Sequence, residues 1–145
     1  MNAQEELEKI LLNEADVEGE CENLIRLHSL AEKVTAAIQG EVVSRSRNND
    51  PMGTFIENKE KLICKINRLQ AEYERHRDFV SGFVQCLQKP VHKKILYGVY
   101  FNGKTLAAVA EQIGYSYRHT QDLEDHAIRE LQKIMDEYES SHKIS

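Results

Sequence analysis

The apolar and aromatic residues between Leu62 and Leu87 recur at alternating intervals of four and three, and this spacing constrains the fold more than any other feature. It is the heptad pattern of a helix that buries one stripe of side chains against a partner, and it persists for more than three heptads. The pattern predicts a helix over residues 54–88, with Thr54 as its N-cap and Glu57 in the capping-box position. The members of this stripe are Leu62, Ile66, Leu69, Tyr73, His76, Val80, Phe83 and Leu87.

A similar but less regular stripe precedes it in residues 3–39 and predicts a further long helix, which we expect Gly19 to weaken or break. The stripe consists of Leu7, Ile10, Val17, Cys21, Leu24, His28, Ala31 and Ile38. Residues 40–53 contain several turn-forming residues and predict a loop. Two such helices form either an antiparallel hairpin within one chain or a coiled coil between chains, and the spacing fits both equally.

Glycine and proline are scarce, with 7 and 2 residues among 145, and good helix formers dominate. This composition predicts an all-α fold. We expect a helical hairpin or coiled coil over residues 1–88, with its loop at about 40–53, followed by a helix-turn-helix domain over residues 89–145.

The prediction of a helix-turn-helix domain over residues 89–145 depends on the pattern after Pro90. This pattern indicates three helices separated by two turns. Gly103 and Gly114 stand where a left-handed residue would end a helix, and Thr105 and Ser116 stand where the next helix needs an N-cap. A short helix, a glycine turn and a capped second helix are typical of a helix-turn-helix. The residues expected to project from the start of the second helix, toward base edges, are Tyr117, Arg118, Gln121 and Asp122.

The charge of the chain is distributed unevenly. The whole chain carries a net charge of -5, which argues against indiscriminate binding to nucleic acid. Residues 88–118 nevertheless hold five basic residues against Glu111 alone, a net charge of +4. We expect this basic stretch to contact DNA phosphates, through Lys93, Lys94, Lys104, Thr105 and Ser116.

Residues 105–116, continuing through Leu123-Glu124 to residues 127–131, resemble the fourth conserved region of bacterial sigma factors, which reads the -35 promoter element. The chain as a whole resembles small phage and prophage proteins of the ArpU/RinA late-regulator kind. The resemblance implies that Ser116 caps the recognition helix and touches the DNA backbone. It also implies base-reading positions for Tyr117, Arg118, Gln121 and Asp122.

The recognition helix departs from the sigma pattern because Asp122, Glu124 and Asp125 make its middle acidic. Sigma-factor regions that bind core RNA polymerase and melt the promoter are not recognisable upstream. We therefore expect a second copy, paired through the N-terminal helices, or RNA polymerase to help the protein hold double-stranded DNA.

Other classes of function lack a sequence signal. No phosphate-binding loop, nucleophile elbow or catalytic carboxylate pair is present, so we expect neither an enzyme nor a cofactor. The three cysteines, Cys21, Cys64 and Cys86, are isolated, which predicts no metal site and fits a reducing bacterial cytoplasm. No apolar run is long enough to span a membrane.

The sequence thus predicts a phage or prophage transcription regulator that reads a promoter-like site with the helix that begins near Ser116. Two alternatives remain open at this point. One is a small-terminase-like protein of DNA packaging, and the other is an adaptor that contacts RNA polymerase without binding DNA.

Overall fold

The computed structural model describes residues 1–39 and 51–142, with the exception of the side chains of residues 37–39 and 51. In these ranges the chain forms five α-helices, one π-helix and no strand, which confirms the all-α prediction. None of the helices in the described ranges combines the length and apolar content needed to cross a bilayer. The helices are α1 (Ala3–Gln39), α2 (Pro51–Gln85), α3 (Pro90–Leu96), the π-helix (Tyr97–Phe101), α4 (Leu106–Ile113) and α5 (Tyr117–His142).

Two predicted features of the long helices are wrong. Gly19 does not break α1, which is a single helix of 37 residues. The second helix begins at Pro51, so residues 51–53 are helical and Thr54 is not its N-cap. Proline suits the first turn of a helix because its missing N–H would have no helical partner there. The rest of the predicted loop, residues 40–50, lies outside the described residues.

The chain divides into two compact units. The first unit combines Met1–Asn13 with Tyr73–Ser145, and the second unit is Glu14–Glu72. Both long helices therefore contribute to each unit. The expected division into domains of residues 1–88 and 89–145 remains a prediction.

The first unit has a well-buried core. The N-terminal turns of α1 join it by specific hydrogen bonds: the Ala3 N–H donates to Gln132 Oε1 at 2.7 Å, and His76 Nε2 lies 2.9 Å from the Glu6 carbonyl oxygen. The core is therefore built by residues far apart in sequence. Its fully buried side chains include Leu7, Ile10, Val80, Val84, Ile95, Leu96, Val109, Thr120, Leu131 and Met135.

The second unit consists of the remaining parts of α1 and α2, which run antiparallel. Lys65 Nζ lies 3.1 Å from Glu20 Oε1, and the rings of His28 and Phe55 meet edge to face at 5.8 Å. None of the described side chains of residues 14–72 is fully buried. The two-helix unit thus keeps its heptad stripes partly in contact with water.

The π-helix positions α4 through a close approach at Gly98. The Asn102 N–H donates to the Tyr97 carbonyl at 2.9 Å, five residues back, and this wide turn carries Gly98 against α4. A Cβ atom added to Gly98 would lie 2.7 Å from Val109 Cγ2. Since Val109 is itself buried, only a residue without a side chain fits at position 98.

The substitution Gly98→Ala should lower the free energy of unfolding by about 1–3 kcal/mol, because it overpacks this contact. Gly82→Ala is the matched control, since nothing lies within 4 Å of a Cβ at that exposed helical position. The control should raise stability by about 0.5–1 kcal/mol. Adding Val109→Ala to Gly98→Ala should recover part of the loss that overpacking causes. Urea unfolding followed by circular dichroism measures all three, and equal stabilities of the two alanine variants would contradict the assigned contact.

Candidate nucleic-acid interface

The short helix α4 is fixed at both ends by local chemistry. The Thr105 hydroxyl accepts a hydrogen bond from the Ala108 N–H at 3.1 Å, and Gly114 ends the helix in the left-handed conformation with φ of 79°. The N–H groups of Gly114 and Tyr115 both donate to the Ala110 carbonyl. These two bonds give donors to the Ala110 carbonyl, which has no hydrogen-bond partner within α4 itself. The predicted roles of Thr105 as N-cap and of Gly114 as the end of the helix are confirmed.

Helix α5 begins with an N-cap as well. The Ser116 hydroxyl oxygen accepts a hydrogen bond from the His119 N–H at 3.1 Å. The Thr120 hydroxyl donates to the Ser116 carbonyl at 2.8 Å, and Thr120 is fully buried. These bonds fix the first turn of α5, and the predicted cap at Ser116 is confirmed.

The four predicted base-reading residues all lie in the first two turns of α5, and all are exposed. Within the described part of the chain, none of their side chains makes a hydrogen bond or an ion pair. The Tyr117 side chain is 51% exposed, which is a large exposed fraction for an aromatic residue of this size. This turn of α5 therefore presents donors, acceptors and an aromatic ring that carry no internal structural role.

Sequence reasoning missed an aromatic pair beside this turn. The rings of Tyr115 and His119 meet edge to face with their centroids 5.0 Å apart, and Tyr115 is 46% exposed. The sequence did contain a signal for this contact, because Tyr115 and His119 are four residues apart and residues with that spacing lie on one side of a helix. The pair is a second exposed aromatic feature at the start of α5.

The three predicted phosphate-contacting lysines come together at one groove. Lys93, Lys94 and Lys104 line a cavity of about 680 Å³ between α3, the π-helix and α4, and Tyr115 lines it too. Lys104 Nζ donates to Gln112 Oε1 at 3.1 Å, whereas the described part of the chain offers no anionic partner to Lys93 or Lys94. The groove thus concentrates positive charge that no carboxylate among its lining residues neutralises.

Comparisons with protein-family models, curated proteins and solved structures found no match for this chain. Its candidate site is therefore defined by geometry and charge. Among residues 1–39 and 51–142, no three His, Cys, Asp or Glu side chains form a group that could hold a metal ion.

The acidic residues in the middle of α5 are not equivalent. Asp122 and Asp125 are exposed, but Glu124 is half-buried. Burial raises the pKa of the Glu124 carboxyl above its usual range, and the neighbouring charge of Asp125 raises it further. Sequence reasoning grouped these three carboxylates as one acidic surface. The structure leaves only Asp122 and Asp125 of the three exposed.

Glu124→Gln should stabilise the protein at pH 7 relative to the wild type. The reason is linkage: the pKa of Glu124 is higher in the folded than in the unfolded chain, so ionisation favours unfolding. The protonated carboxyl contributes its full stability at a pH below the pKa that Glu124 has in the unfolded chain. This contribution is lost as the pH rises through the pKa that Glu124 has in the folded chain. Urea unfolding at pH 7 and pH 4 should show the advantage of Glu124→Gln at pH 7 and its decline at pH 4. Asp122→Asn, at an exposed position, is the control, and a pH-independent effect of Glu124→Gln would contradict the burial of this carboxylate.

Proposed function

We propose that this protein is a phage- or prophage-encoded transcription regulator of the bacterial cytoplasm, which binds double-stranded DNA with α4 and α5 acting as a helix-turn-helix. The observation that carries the proposal is the start of α5, where a capped turn presents four exposed polar or aromatic side chains that bond to no other side chain or backbone group in residues 1–39 and 51–142. In helix-turn-helix proteins the N-terminal residues of the second helix contact base edges in the major groove.

Each of these side chains suits base recognition. The Arg118 guanidinium can donate two hydrogen bonds to O6 and N7 of guanine, and the Gln121 amide can pair with N6 and N7 of adenine. The Asp122 carboxylate can accept from N4 of cytosine. Tyr117 adds an exposed ring and a hydroxyl that can bond to a base or to a phosphate.

The surroundings of the helix supply contacts to the DNA backbone. Lys93, Lys94 and Lys104 would neutralise phosphate charge from the rim of their groove. The hydroxyl groups of Thr105 and Ser116 accept hydrogen bonds as caps, which leaves each hydroxyl hydrogen free to donate to a phosphate oxygen. The first N–H groups of α5 have no acceptor within the helix. The N-terminus of α5 therefore needs a cap, and it also favours a bound anion.

The acidic overall charge limits how firmly one copy holds DNA. The chain has a net charge of -5, and Asp122 and Asp125 are exposed on α5 itself. The proposal therefore includes a second point of attachment, either a second copy joined through the N-terminal helices or RNA polymerase. Linking two weak binding events raises the overall affinity without any new base contact.

Arg118→Ala should weaken binding to the cognate site by about 10- to 100-fold, equivalent to about 1–3 kcal/mol, and should relax sequence preference at one base pair. Fluorescence polarisation at low salt, on DNA fragments from the neighbourhood of the gene, measures this. Arg75→Ala removes another exposed arginine, from α2, and should leave binding unchanged. The proposal fails if no fragment shows binding that depends on Arg118.

Lys94→Ala should act differently from Arg118→Ala, because a phosphate contact carries no sequence information. We expect weaker binding to all fragments in similar proportion. We also expect the slope of log K against log salt to become shallower by about one. Lys9→Ala, an exposed lysine of α1, serves as the control. A salt slope that Lys94→Ala leaves unchanged would remove this residue from the interface.

The exposure of Asp122 and Asp125 favours one alternative, an adaptor that uses α5 to contact RNA polymerase instead of DNA. A carboxylate pair on an exposed helix face suits a basic protein surface better than a phosphate backbone. A pull-down with core RNA polymerase distinguishes the two. Retention that requires Asp122 and Asp125, together with absence of DNA binding at low salt, supports the adaptor.

A further inference from the structure

The groove between α3, the π-helix and α4, which we call the basic groove, has the dimensions of a small-molecule site. Its volume is about 680 Å³, and pockets that hold small ligands have volumes of about 300–1,000 Å³. A contact to the phosphates of a DNA duplex needs only side chains on a surface and no cavity. The proposed contacts to DNA therefore do not account for the concave shape of this groove.

The basic groove has an apolar floor. Gly98 and Val109 are both buried and both line it, and the partly buried side chains of Val91 and Ile113 line it as well. An apolar surface inside a cavity favours a flat and weakly hydrated part of a ligand, because water gains when both surfaces are covered. An aromatic ring meets this requirement.

Aromatic and carboxamide side chains complete the lining. Tyr97 and Tyr115 line the basic groove, and Tyr115 is 46% exposed. Asn102 and Gln112 line it too, and Gln112 Oε1 accepts a hydrogen bond from Lys104, which leaves the NH₂ group of Gln112 as a donor. Aromatic rings stack on nucleobases of every type, and carboxamides pair with their edges.

The charged side chains of the lining are all basic. They are Lys93, Lys94 and Lys104, which give the basic groove a charge of +3. Glu111 is the only acidic residue between positions 90 and 115, and it does not line the groove. Lysine binds phosphate as a point charge. A polyphosphate group concentrates its negative charge at one end of a small molecule, whereas DNA distributes its charge along the backbone.

We propose that the basic groove binds a nucleoside polyphosphate, with the nucleobase on the apolar floor beside Tyr115 and the phosphates on Lys93, Lys94 and Lys104. Both halves of this ligand are required by the lining. An inorganic phosphate would leave the apolar floor and the tyrosines uncovered, and an uncharged nucleoside would leave the three lysines without a counter-charge.

The consequence of this inference rests on the proposed function. DNA phosphates and the bound nucleotide would share the same three lysines, so the nucleotide would compete with DNA. At a nucleotide concentration about ten times its Kd, complete competition raises the apparent Kd for DNA about elevenfold. Nucleotide binding itself is measured in the absence of DNA. Failure of DNA binding and failure of nucleotide binding can therefore be told apart.

The first experiment titrates the full chain with ATP and with GTP by isothermal calorimetry, at low salt and without divalent cations. We expect saturable binding of one nucleotide per chain. Adenosine and inorganic triphosphate supply the two halves of the ligand separately. Each half should bind at least about tenfold more weakly than ATP, because each lacks the contacts of the other.

The second experiment compares variants of exposed residues inside and outside the basic groove. Lys94→Ala and Tyr115→Ala should each weaken ATP binding about tenfold, while circular dichroism shows unchanged helix content. Lys9→Ala and Tyr117→Ala are the matched controls, because neither residue lines the groove and both are exposed. Tyr117→Ala should weaken DNA binding and leave ATP binding unchanged, so the two tyrosines distinguish the two ligands.

The remaining outcomes also decide the matter. Absence of saturable binding overturns the proposal, as does ATP binding that Lys94→Ala and Tyr115→Ala leave unaffected. Inorganic triphosphate that binds as tightly as ATP overturns the assignment of a nucleoside. DNA binding that saturating ATP leaves unchanged overturns the shared use of the lysines. If no DNA fragment binds at all, ATP binding with the expected pattern of variants still supports the site.

Discussion

Thr120, Ala127, Leu131 and Met135 share one face of α5, and each of them is fully buried in the first unit. This face holds α5 against α3 and α4, and Gln132 on the same helix accepts a hydrogen bond from the Ala3 N–H. Burial of a large apolar side chain stabilises a fold by about 1.5–3 kcal/mol. The buried residues of this face are thus different from the four exposed residues, Tyr117, Arg118, Gln121 and Asp122, that we propose to contact bases. The candidate interface can therefore vary without loss of the core.

The same heptad pattern leads to different burial in the two units. Leu7 and Ile10 are fully buried in the first unit, whereas Leu24 and Ile66 in the second are only partly covered. The difference arises because α1 and α2 meet further helices in the first unit, whereas among the described residues of the second unit each helix contacts only the other. A pair of helices covers one side of each stripe and leaves the flanks in water.

The sequence predicted local structure correctly at positions where one residue type strongly favours a particular role, such as glycine at a positive φ or serine and threonine at a helix N-cap. Gly103 and Gly114 both have positive φ, of 66° and 79°, and Thr105 and Ser116 both cap helices. The start of α2 at Pro51 and the π-helix did not follow. Gly98 of the π-helix packs closely against Val109, which is eleven residues away and belongs to α4. No spacing rule along one helix contains that contact.

By itself the sequence determined the helical class, the stripe on each long helix and the caps around α4 and α5. These depend on backbone preferences and on hydrogen bonds between residues three or four apart. Only the tertiary structure decided that Lys93, Lys94 and Lys104 line one groove and that Glu124 is half-buried while Asp122 is exposed. Helical periodicity gives the direction of a side chain. Whether that direction leads to water or to another helix depends on how elements distant in sequence pack together.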